Sequence, residues 1–281
     1  MATRRINSKR IVEKFIIHSF LCLVSVSCLF PLLWMLSTSL KSQSEVFLNM
    51  SLIPSSFKWN NYIIAWKQAR FGTYFFNSLI YTTTAVTGVL LFASLAAYAF
   101  ARFQFRGRNL LFYLFLASMM IPIPGAFIPL YILLIRLQLV DTRIGLILPY
   151  INAGLPLAIF ILKGFFEGVP RDLEDAARID GCSRMGIYWR IMLPLATPAL
   201  ATVAIISSLT IWNEYLLALI VVRKEELLPI QVGLWTFQGQ HITNYPLLMA
   251  GLTIAALPLI IIYMIMQKNI IKGITAGALK A

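Results

Sequence analysis

The chain is short of charge, histidine and cysteine, and each shortage excludes a class of protein. Charged residues make up 12% of its 281 residues and apolar residues 59%, more apolar surface than a water-soluble domain of this length buries. Its three cysteines, Cys22, Cys28 and Cys182, have no metal-ligand spacing and argue against a disulfide framework. The sequence has no paired carboxylates, His-Glu-x-x-His motif, Ser/His/Asp set or Gly-x-x-x-x-Gly-Lys-Ser/Thr phosphate loop. These absences indicate a membrane protein with no catalytic residues, no metal site and no ATPase activity of its own.

Long apolar runs supply the candidate membrane spans. A helix needs about 20 mostly apolar residues to cross the hydrocarbon core of a bilayer. Six runs are long enough, near Phe15–Leu36, Asn77–Ala101, Leu110–Leu134, Ile144–Leu162, Leu195–Val222 and Leu247–Gln267. The first is too long for a signal-peptide core and no small-x-small cleavage site follows it, so we expect it to remain as an anchor. The predicted fold class is all-α: a polytopic membrane protein with six transmembrane helices and a cytoplasmic coupling helix.

The basic residues predict the orientation. If the N-terminus is inside, the cytoplasmic segments hold sixteen lysines and arginines and the outer segments hold eight, which is the bias that orients membrane proteins. The net charge of +13 comes from this clustering at span ends and not from a basic stripe for nucleic acid. We therefore expect a multi-pass protein of the cell (plasma or inner) membrane with both termini in the cytoplasm. Residues 1–14 form a basic N-terminal segment, residues 15–267 the six-span domain, and residues 268–281 a C-terminal tail.

The polar loop between the fourth and fifth runs, residues 163–194, contains a spaced motif. It reads Asp175-Ala-Ala, three residues, Gly181, nine residues, and then Ile191-x-Leu193-Pro194. The part from Pro170 to Gly181 predicts one short helix, because proline is tolerated in a first turn and glycine suits the left-handed residue that ends a helix. Acidic residues near its start favour the same helix through the helix dipole.

One face of this short helix is expected to meet a partner. Leu173, Ala176, Ala177 and Asp180 share a face by the three-and-four rule. Two alanines there would let another surface approach closely. A helix of about ten residues is too short to be stable alone in water, so it should depend on tertiary contacts. The alternative reading is an ordinary interfacial helix between two spans.

The spacing of the loop resembles the "EAA" loop of permease subunits in ATP-binding-cassette (ABC) importers. The likeness extends along the chain, which resembles the second permease subunit of carbohydrate-uptake importers, the maltose-type family. The stretches that carry it include Pro31-Leu-Leu-Trp34, Ser39-Leu-Lys41, Leu95–Phe103, Ile128-Pro-Leu-Tyr131, Trp212-Asn-Glu214 and Gly273-Ile-Thr-Ala-Gly277. Where the family's loop usually begins Glu-Ala-Ala, this chain has Asp175, one methylene shorter, with Glu174 before it.

The resemblance implies a permease that couples closure of a separate ATPase to alternating access for a sugar or oligosaccharide. It implies no cofactor in this chain, since ATP and Mg would be held by the partner. Its implied partners are a second homologous permease subunit, two ATPase subunits or domains, an extracytoplasmic sugar-binding protein and the lipid bilayer. The residues assigned to ATPase coupling are Glu174, Asp175, Ala176, Ala177, Gly181, Ile191, Leu193 and Pro194.

A polar cluster in the fifth run is the candidate substrate path. Glu214 is the clearest ionisable residue inside a predicted span, and such residues are costly in lipid and often functional. The candidates are Trp212, Asn213, Glu214 and Tyr215, together with Asn77 in the second run. A helix-capping role for Glu214 stays open, and polar residues such as Asn77 more often hold helices together.

Other functions remain as alternatives. An ABC permease for a polyol or glycerol-3-phosphate would have the same sequence pattern. A secondary transporter would need ionisable groups at mid-membrane and an inverted repeat, and the sequence shows neither. A membrane-embedded enzyme would need one of the catalytic sets that the chain lacks.

Overall fold

The computed structural model describes residues 8–120, 123–238 and 243–278, and the regular elements in these ranges are helices. An isolated antiparallel bridge joins Gln238 and Thr243. The α-helices are α1 (Ser8–Ser39), α2 (Gln43–Leu48), α3 (Asn60–Lys67), α4 (Phe71–Arg102), α5 (Arg108–Ser118), α6 (Ile123–Arg136), α7 (Arg143–Glu167), α8 (Asp172–Ile179), α9 (Arg184–Ile187), α10 (Leu193–Leu195), α11 (Thr197–Trp212), α12 (Leu216–Val221), α13 (Ile230–Gly233) and α14 (Tyr245–Ala278). The helical class expected from the apolar runs is confirmed.

Four helices in the described residues are long and apolar enough to cross a membrane. They are Glu13–Ser39 within α1, α4, α7, and Tyr245–Ile265 within α14. A fifth candidate is the pair Arg184–Leu195 and Thr197–Trp212, which is bent by 73°. The described part of the chain therefore contains four or five candidate spans by length and composition, where the sequence predicted six.

The predicted third span is divided into two shorter helices. The run near Leu110–Leu134 forms the shorter helices α5 and α6, and residues 121 and 122 between them lie outside the described residues. The sequence has Pro122 and Pro124 at this division. Proline lacks a backbone donor and disfavours helical geometry in the residue before it. The prediction of one span here used apolar run length alone, which does not take this local effect of proline into account.

The predicted fifth span is also interrupted. The run near Leu195–Val222 contains α11 and α12, and the three residues Asn213–Tyr215 separate the two helices. At its other end, Ala196 lies at the bend between α10 and α11, with Pro198 in the first turn of α11. A single continuous helix was therefore the wrong prediction for this run.

The chain forms two compact units. The first contains residues 8–69, 234–238 and 243–254, and the second contains residues 70–233 and 255–278. The centre of the second unit is built from α4, α7 and α11, which pack against one another. Gly88 on α4 and Gly154 on α7 allow close approach, because an added Cβ would lie 2.5 Å from Ile151 Cδ1 and 2.7 Å from Val89 Cγ2 respectively. Small residues serve the same purpose in other membrane helix pairs.

Contacts within the second unit define its two ends. At one end Arg102, the last residue of α4, lies against Glu174 in the loop after α7. At the other end Asp141, between α6 and α7, accepts a hydrogen bond from the backbone N–H of Arg223, which follows α12. Asn77, in the first half of α4, is bonded to the carbonyl of Glu226 at that second end. Helices α5 and α6 together therefore carry the chain from one end of this unit to the other.

In the first unit, a buried lysine explains part of the family-like motif Ser39-Leu-Lys41. Lys41 Nζ donates to the carbonyls of Asn49, at 3.1 Å, and Ser51, at 2.5 Å. The Asn61 side chain donates to the carbonyls of Ser39 and Lys41. These bonds fold the segment after α1 back on itself, so the motif has a structural role.

Candidate functional site

The predicted short helix in the polar loop is present as α8. It runs over eight residues, Asp172–Ile179, and Asp180 is its C-cap. Gly181 follows with φ of +80°, the left-handed state predicted for it. The N–H of Gly181 donates to Arg178 O at 3.0 Å and that of Cys182 to Ala177 O at 2.9 Å. This bonding pattern is the Schellman motif, which closes a helix end and requires the left-handed residue.

The face of α8 that is exposed differs from the predicted one. Ala177 is buried, 5% exposed, and packs against the core of the second unit. Leu173 is 44% exposed and Ile179 is 88% exposed, while Ala176 and Asp180 are also open to solvent. The prediction that Ala177 shares an open face with Leu173, Ala176 and Asp180 was therefore wrong. The three-and-four rule groups residues on faces, but it does not say which face the chain's own core covers.

The carboxylate of Glu174 is paired with arginines of the same chain. It is 4% exposed, and its Oε1 lies 2.6 Å from Arg102 Nε, although the N–H does not point along the line to the oxygen. Arg178 approaches the other carboxylate oxygen at 3.9 Å. The structure therefore does not bring Glu174 to the open face, contrary to the expectation that it shares a partner contact with Asp175. Asp175 is exposed and lies 3.4 Å from Arg178.

The residues after α8 bind the loop to α4. Tyr188, in a π-helical turn at Tyr188–Met192, is fully buried and its hydroxyl lies 2.7 Å from Ser94 Oγ. The guanidinium of Arg184 lies over the ring of Phe103, 5.0 Å from its centroid. π-helical turns are rare and often occur at functional sites.

The last three motif residues of the loop differ in how far they are buried. Ile191 and Leu193 are half-buried and pack on the core shared by α4 and α7, while Pro194 is exposed. The first two therefore position the loop from within the chain, and the open part of the predicted coupling set is Asp175, Ala176, Gly181 and Pro194.

Two of the candidate substrate-path residues are buried and hydrogen-bonded within the second unit. Trp212 is 2% exposed, and its indole N–H donates to Ala255 O at 2.9 Å. Asn77 is also 2% exposed, and its amide donates to the carbonyls of Glu226, at 2.7 Å, and Leu228, at 3.1 Å. Both side chains hold segments of the second unit together, which is the alternative reading of Asn77.

Glu214 lies at the break between α11 and α12 and caps the second helix. Its carboxylate accepts hydrogen bonds from the N–H groups of Leu217, at 2.7 Å, and Ala218, at 3.2 Å. It also accepts one from the Tyr150 hydroxyl at 2.8 Å. Of its neighbours, Asn213 is exposed and bonded to Leu209 O, and Tyr215 packs against the core.

Glu214 and Tyr150 also line a cavity of about 220 Å³ between α7 and α11. The lining is mostly apolar, and its other hydroxyl groups come from Ser207 and Thr210. The other four candidates are not part of this lining, namely Trp212, Asn213, Tyr215 and Asn77. Of the five candidates, Glu214 alone reaches the cavity.

Sequence reasoning missed Arg102 and Tyr150 as site residues. Arg102 was counted only as an orienting charge, although an arginine directly at the end of an apolar run, within an Ala-Arg-Phe stretch, could have indicated a buried partner. Nothing in the sequence around Tyr150 distinguishes it from other tyrosines of the spans.

The comparisons with known proteins agree on one family. Residues 89–276 match the family described as binding-protein-dependent transport system inner membrane component. A protein of Caldicellulosiruptor sp. (strain Rt8B.4) whose name is that of an ABC transporter permease is 42% identical over 251 residues, 89% of this chain and 91% of that protein. The arabinooligosaccharides transport system permease protein AraQ of Bacillus subtilis (strain 168) is 37% identical, with 96% of each chain covered.

A solved structure has the same fold. It is a chain of a bacterial ABC transporter involved in the import of the acidic polysaccharide alginate. The TM-score is 0.83 at 26% sequence identity, and the match covers 96% of this chain and 99% of that one.

Proposed function

Because the chain belongs to the family of binding-protein-dependent transport system inner membrane components, we propose that it is the permease subunit of an ABC importer for a sugar or oligosaccharide. Membership makes the chain a membrane component of a transport system and not an enzyme. The cargo class rests on the relatives, since AraQ is named for arabinooligosaccharides and the solved structure takes part in alginate import. Both cargoes are built from several sugar units.

The six-span topology is part of this proposal. Arg102, at the end of α4, contacts Glu174 and Val169, which follow the end of α7, and this supports both helix ends lying on one side of the unit. Asp141 places the segment between α6 and α7 on the other side. In this topology the chain crosses the membrane once between α4 and α7, by way of α5 and α6. With α1, α4, α7, the bent pair and α14, this makes six spans with both termini in the cytoplasm, as the positive charges favour.

We propose that α8 is the coupling helix on which a partner ATPase docks. Its open face carries the apolar residues Leu173, Ala176 and Ile179, with Asp175 at the edge. Its other face is held by Glu174 and Ala177, which stabilises a helix of eight residues that would be marginal alone. The observation that carries the proposal is the exposed apolar group of Leu173, Ala176 and Ile179 on a helix whose other face is anchored, because contiguous exposed apolar residues rimmed by polar ones mark an interaction site.

In this proposal ATP and Mg are bound by the partner, and this chain contributes movement. A second homologous permease, two ATPase subunits or domains and an extracytoplasmic binding protein complete the transporter. Moving a two-state equilibrium from 1:99 to 99:1 requires about 5.5 kcal/mol of differential binding. Closure of the ATPases on ATP would supply that energy through α8. Glu214, with Tyr150, remains the candidate contact for the cargo because it is the one acid in the cavity lining.

Ile179→Asp tests the docking face. The side chain is 88% exposed, so its replacement should leave folding nearly unchanged and remove the ATPase from the co-purified complex. Leu137→Asp, at a 56% exposed leucine directly after α6 and so at the opposite end of the second unit, introduces the same charge and should keep the ATPase bound. The measurement is recovery of the co-expressed ATPase with the tagged permease. A complex that survives Ile179→Asp intact would contradict docking on this face.

The cargo is tested with the assembled transporter and its binding protein in proteoliposomes. Arabinooligosaccharides and alginate oligosaccharides are the probes, with glycerol-3-phosphate as the alternative. We expect ATP turnover to rise with an oligosaccharide. Stimulation by glycerol-3-phosphate alone would reject the carbohydrate assignment.

A further inference from the structure

Arg102 and Glu174 form an ion pair that is shielded from solvent. The exposed fractions of their side chains are 4% and 5%, and their closest atoms lie 2.6 Å apart. Among the ion pairs of the described residues, this is the one in which both side chains are buried. The pair Arg178–Asp175 is exposed by 51% and 64%, and Lys163–Glu167 lies within a single helix.

The pair joins the docking helix to the central helix of the second unit. Arg102 is the last residue of α4, and Glu174 lies in the first turn of α8. The same arginine donates through a second nitrogen to the carbonyl of Val169, at 2.6 Å, just before α8. Arg102 therefore holds both the helix and the segment that leads into it.

A buried ion pair is a poor means of stabilising a fold, because the cost of removing two charges from water offsets much of their attraction. It is, however, intolerant of separation, since moving one partner away leaves a buried charge without its counter-ion. A contact between apolar side chains can slide with a smaller change in energy, since apolar burial is not directional. The pair is thus suited to keeping two elements together while both move.

We propose that Arg102 and Glu174 are positioning residues that make α8 and the end of α4 move as one body. Movement imposed on α8 is then delivered directly to α4, which packs against α7 and α11 in the centre of the second unit. This inference rests on the proposed function, because it requires a partner that displaces α8. It assigns Glu174 to transmission inside the chain and leaves the partner contact to the open face.

The test uses the whole transporter in proteoliposomes with its binding protein and whichever of the arabinooligosaccharides or alginate oligosaccharides gives the greater ATP turnover. The variants are Arg102→Met, Glu174→Met, the double Met variant, and the reversed pair Arg102→Glu with Glu174→Arg. Three quantities are measured: oligosaccharide transported per ATP hydrolysed, recovery of the ATPase with the permease, and the melting temperature of the complex.

We expect each single variant to retain the ATPase but to lower transport per ATP by about 5- to 150-fold, the range of ordinary coupling energies. The double Met variant should recover the melting temperature, because no buried charge is left without a partner, but not the transport ratio. The reversed pair should recover part of the melting temperature and part of the transport ratio. Glu167→Gln, which removes an ion pair within α7, is the matched control and should leave the ratio unchanged.

Two results would overturn the proposal. One is a transport ratio that stays normal in the single variants while the melting temperature falls, since the pair would then be structural only. The other is full recovery of the ratio in the double Met variant, since an apolar contact would then serve equally well. Failure of the wild-type permease to bind an ATPase would instead reject the proposed function, so the two failures are distinguishable.

Discussion

Replacement of Gly181 by alanine is the sharpest test of how α8 ends. Gly181 has φ of +80°, and an added Cβ would meet no atom within 4 Å. The whole effect of a methyl group is therefore the backbone cost of the left-handed state, about 1–2 kcal/mol for an L-residue. A cost of that size changes the ratio of closed to open helix end by a factor of about 5–30.

The two hydrogen bonds that close the helix end report this change directly. They are the bonds from the N–H groups of residues 181 and 182 to Arg178 O and Ala177 O. In Gly181→Ala, hydrogen exchange at these two amides should accelerate by the same factor of about 5–30. Transport per ATP should fall as well, because a frayed end loosens the docking helix.

Asparagine is the matched control, because it is larger than alanine but tolerates the left-handed state. We expect Gly181→Asn to exchange and transport nearly as the wild type does. If asparagine were as damaging as alanine, the backbone explanation would be wrong, and contact of the added side chain with the docked ATPase would be the cause instead. If alanine behaved like glycine, the left-handed helix end would not matter and the reasoning would be refuted.

Two further predictions concern the opposite end of the second unit. Asp141 has φ of +57°, and its carboxylate accepts hydrogen bonds from the backbone N–H groups of Arg223 and Lys224. Asp141→Ala should therefore lower the free energy of unfolding by about 1 kcal/mol. Asp141→Asn should lower it by less, and thermal unfolding measures both. The N–H of Arg223 holds the pKa of Asp141 below its ordinary value of 3.8. The stabilisation is therefore complete above that value and is lost as the pH falls through the folded pKa, a dependence that Asp141→Asn should abolish. Glu214→Ala should destabilise by about 1–3 kcal/mol and more than Tyr150→Phe, because it leaves two helix-end N–H groups without an acceptor; equal melting temperatures would contradict the capping role.

Features that depend on neighbouring residues in the chain were predicted well. The positions of α1, α4, α7 and α14 followed from apolar run length, since lipid requires a minimum number of apolar residues in a row. The start of α8 among acidic residues and its end at Gly181 followed from helix-end chemistry, which acts over one turn. The effect of the prolines near residues 122 and 198 is also local. The prediction of unbroken spans gave more weight to run length than to these prolines.

Features that depend on residues far apart in the chain were not predictable in this way. Trp212 and Asn77 are polar or aromatic residues in apolar runs, which is equally typical of a path lining and of a helix contact. Their roles were decided by the carbonyl groups of Ala255 and Glu226, which only the folded chain brings within hydrogen-bond distance. The hydrogen bond from Tyr150 to Glu214 likewise joins residues that only the folded chain brings together.

By itself, the sequence determined that this protein consists of long apolar helices with a short helix, α8, in a polar loop between two of them. Run length, charge bias and helix-end residues are sufficient for that, because each acts locally. Only the tertiary structure decided which face of α8 is open. That choice depends on Arg102, which lies far away in the chain and draws Glu174 inward because a buried charge must have its counter-ion nearby.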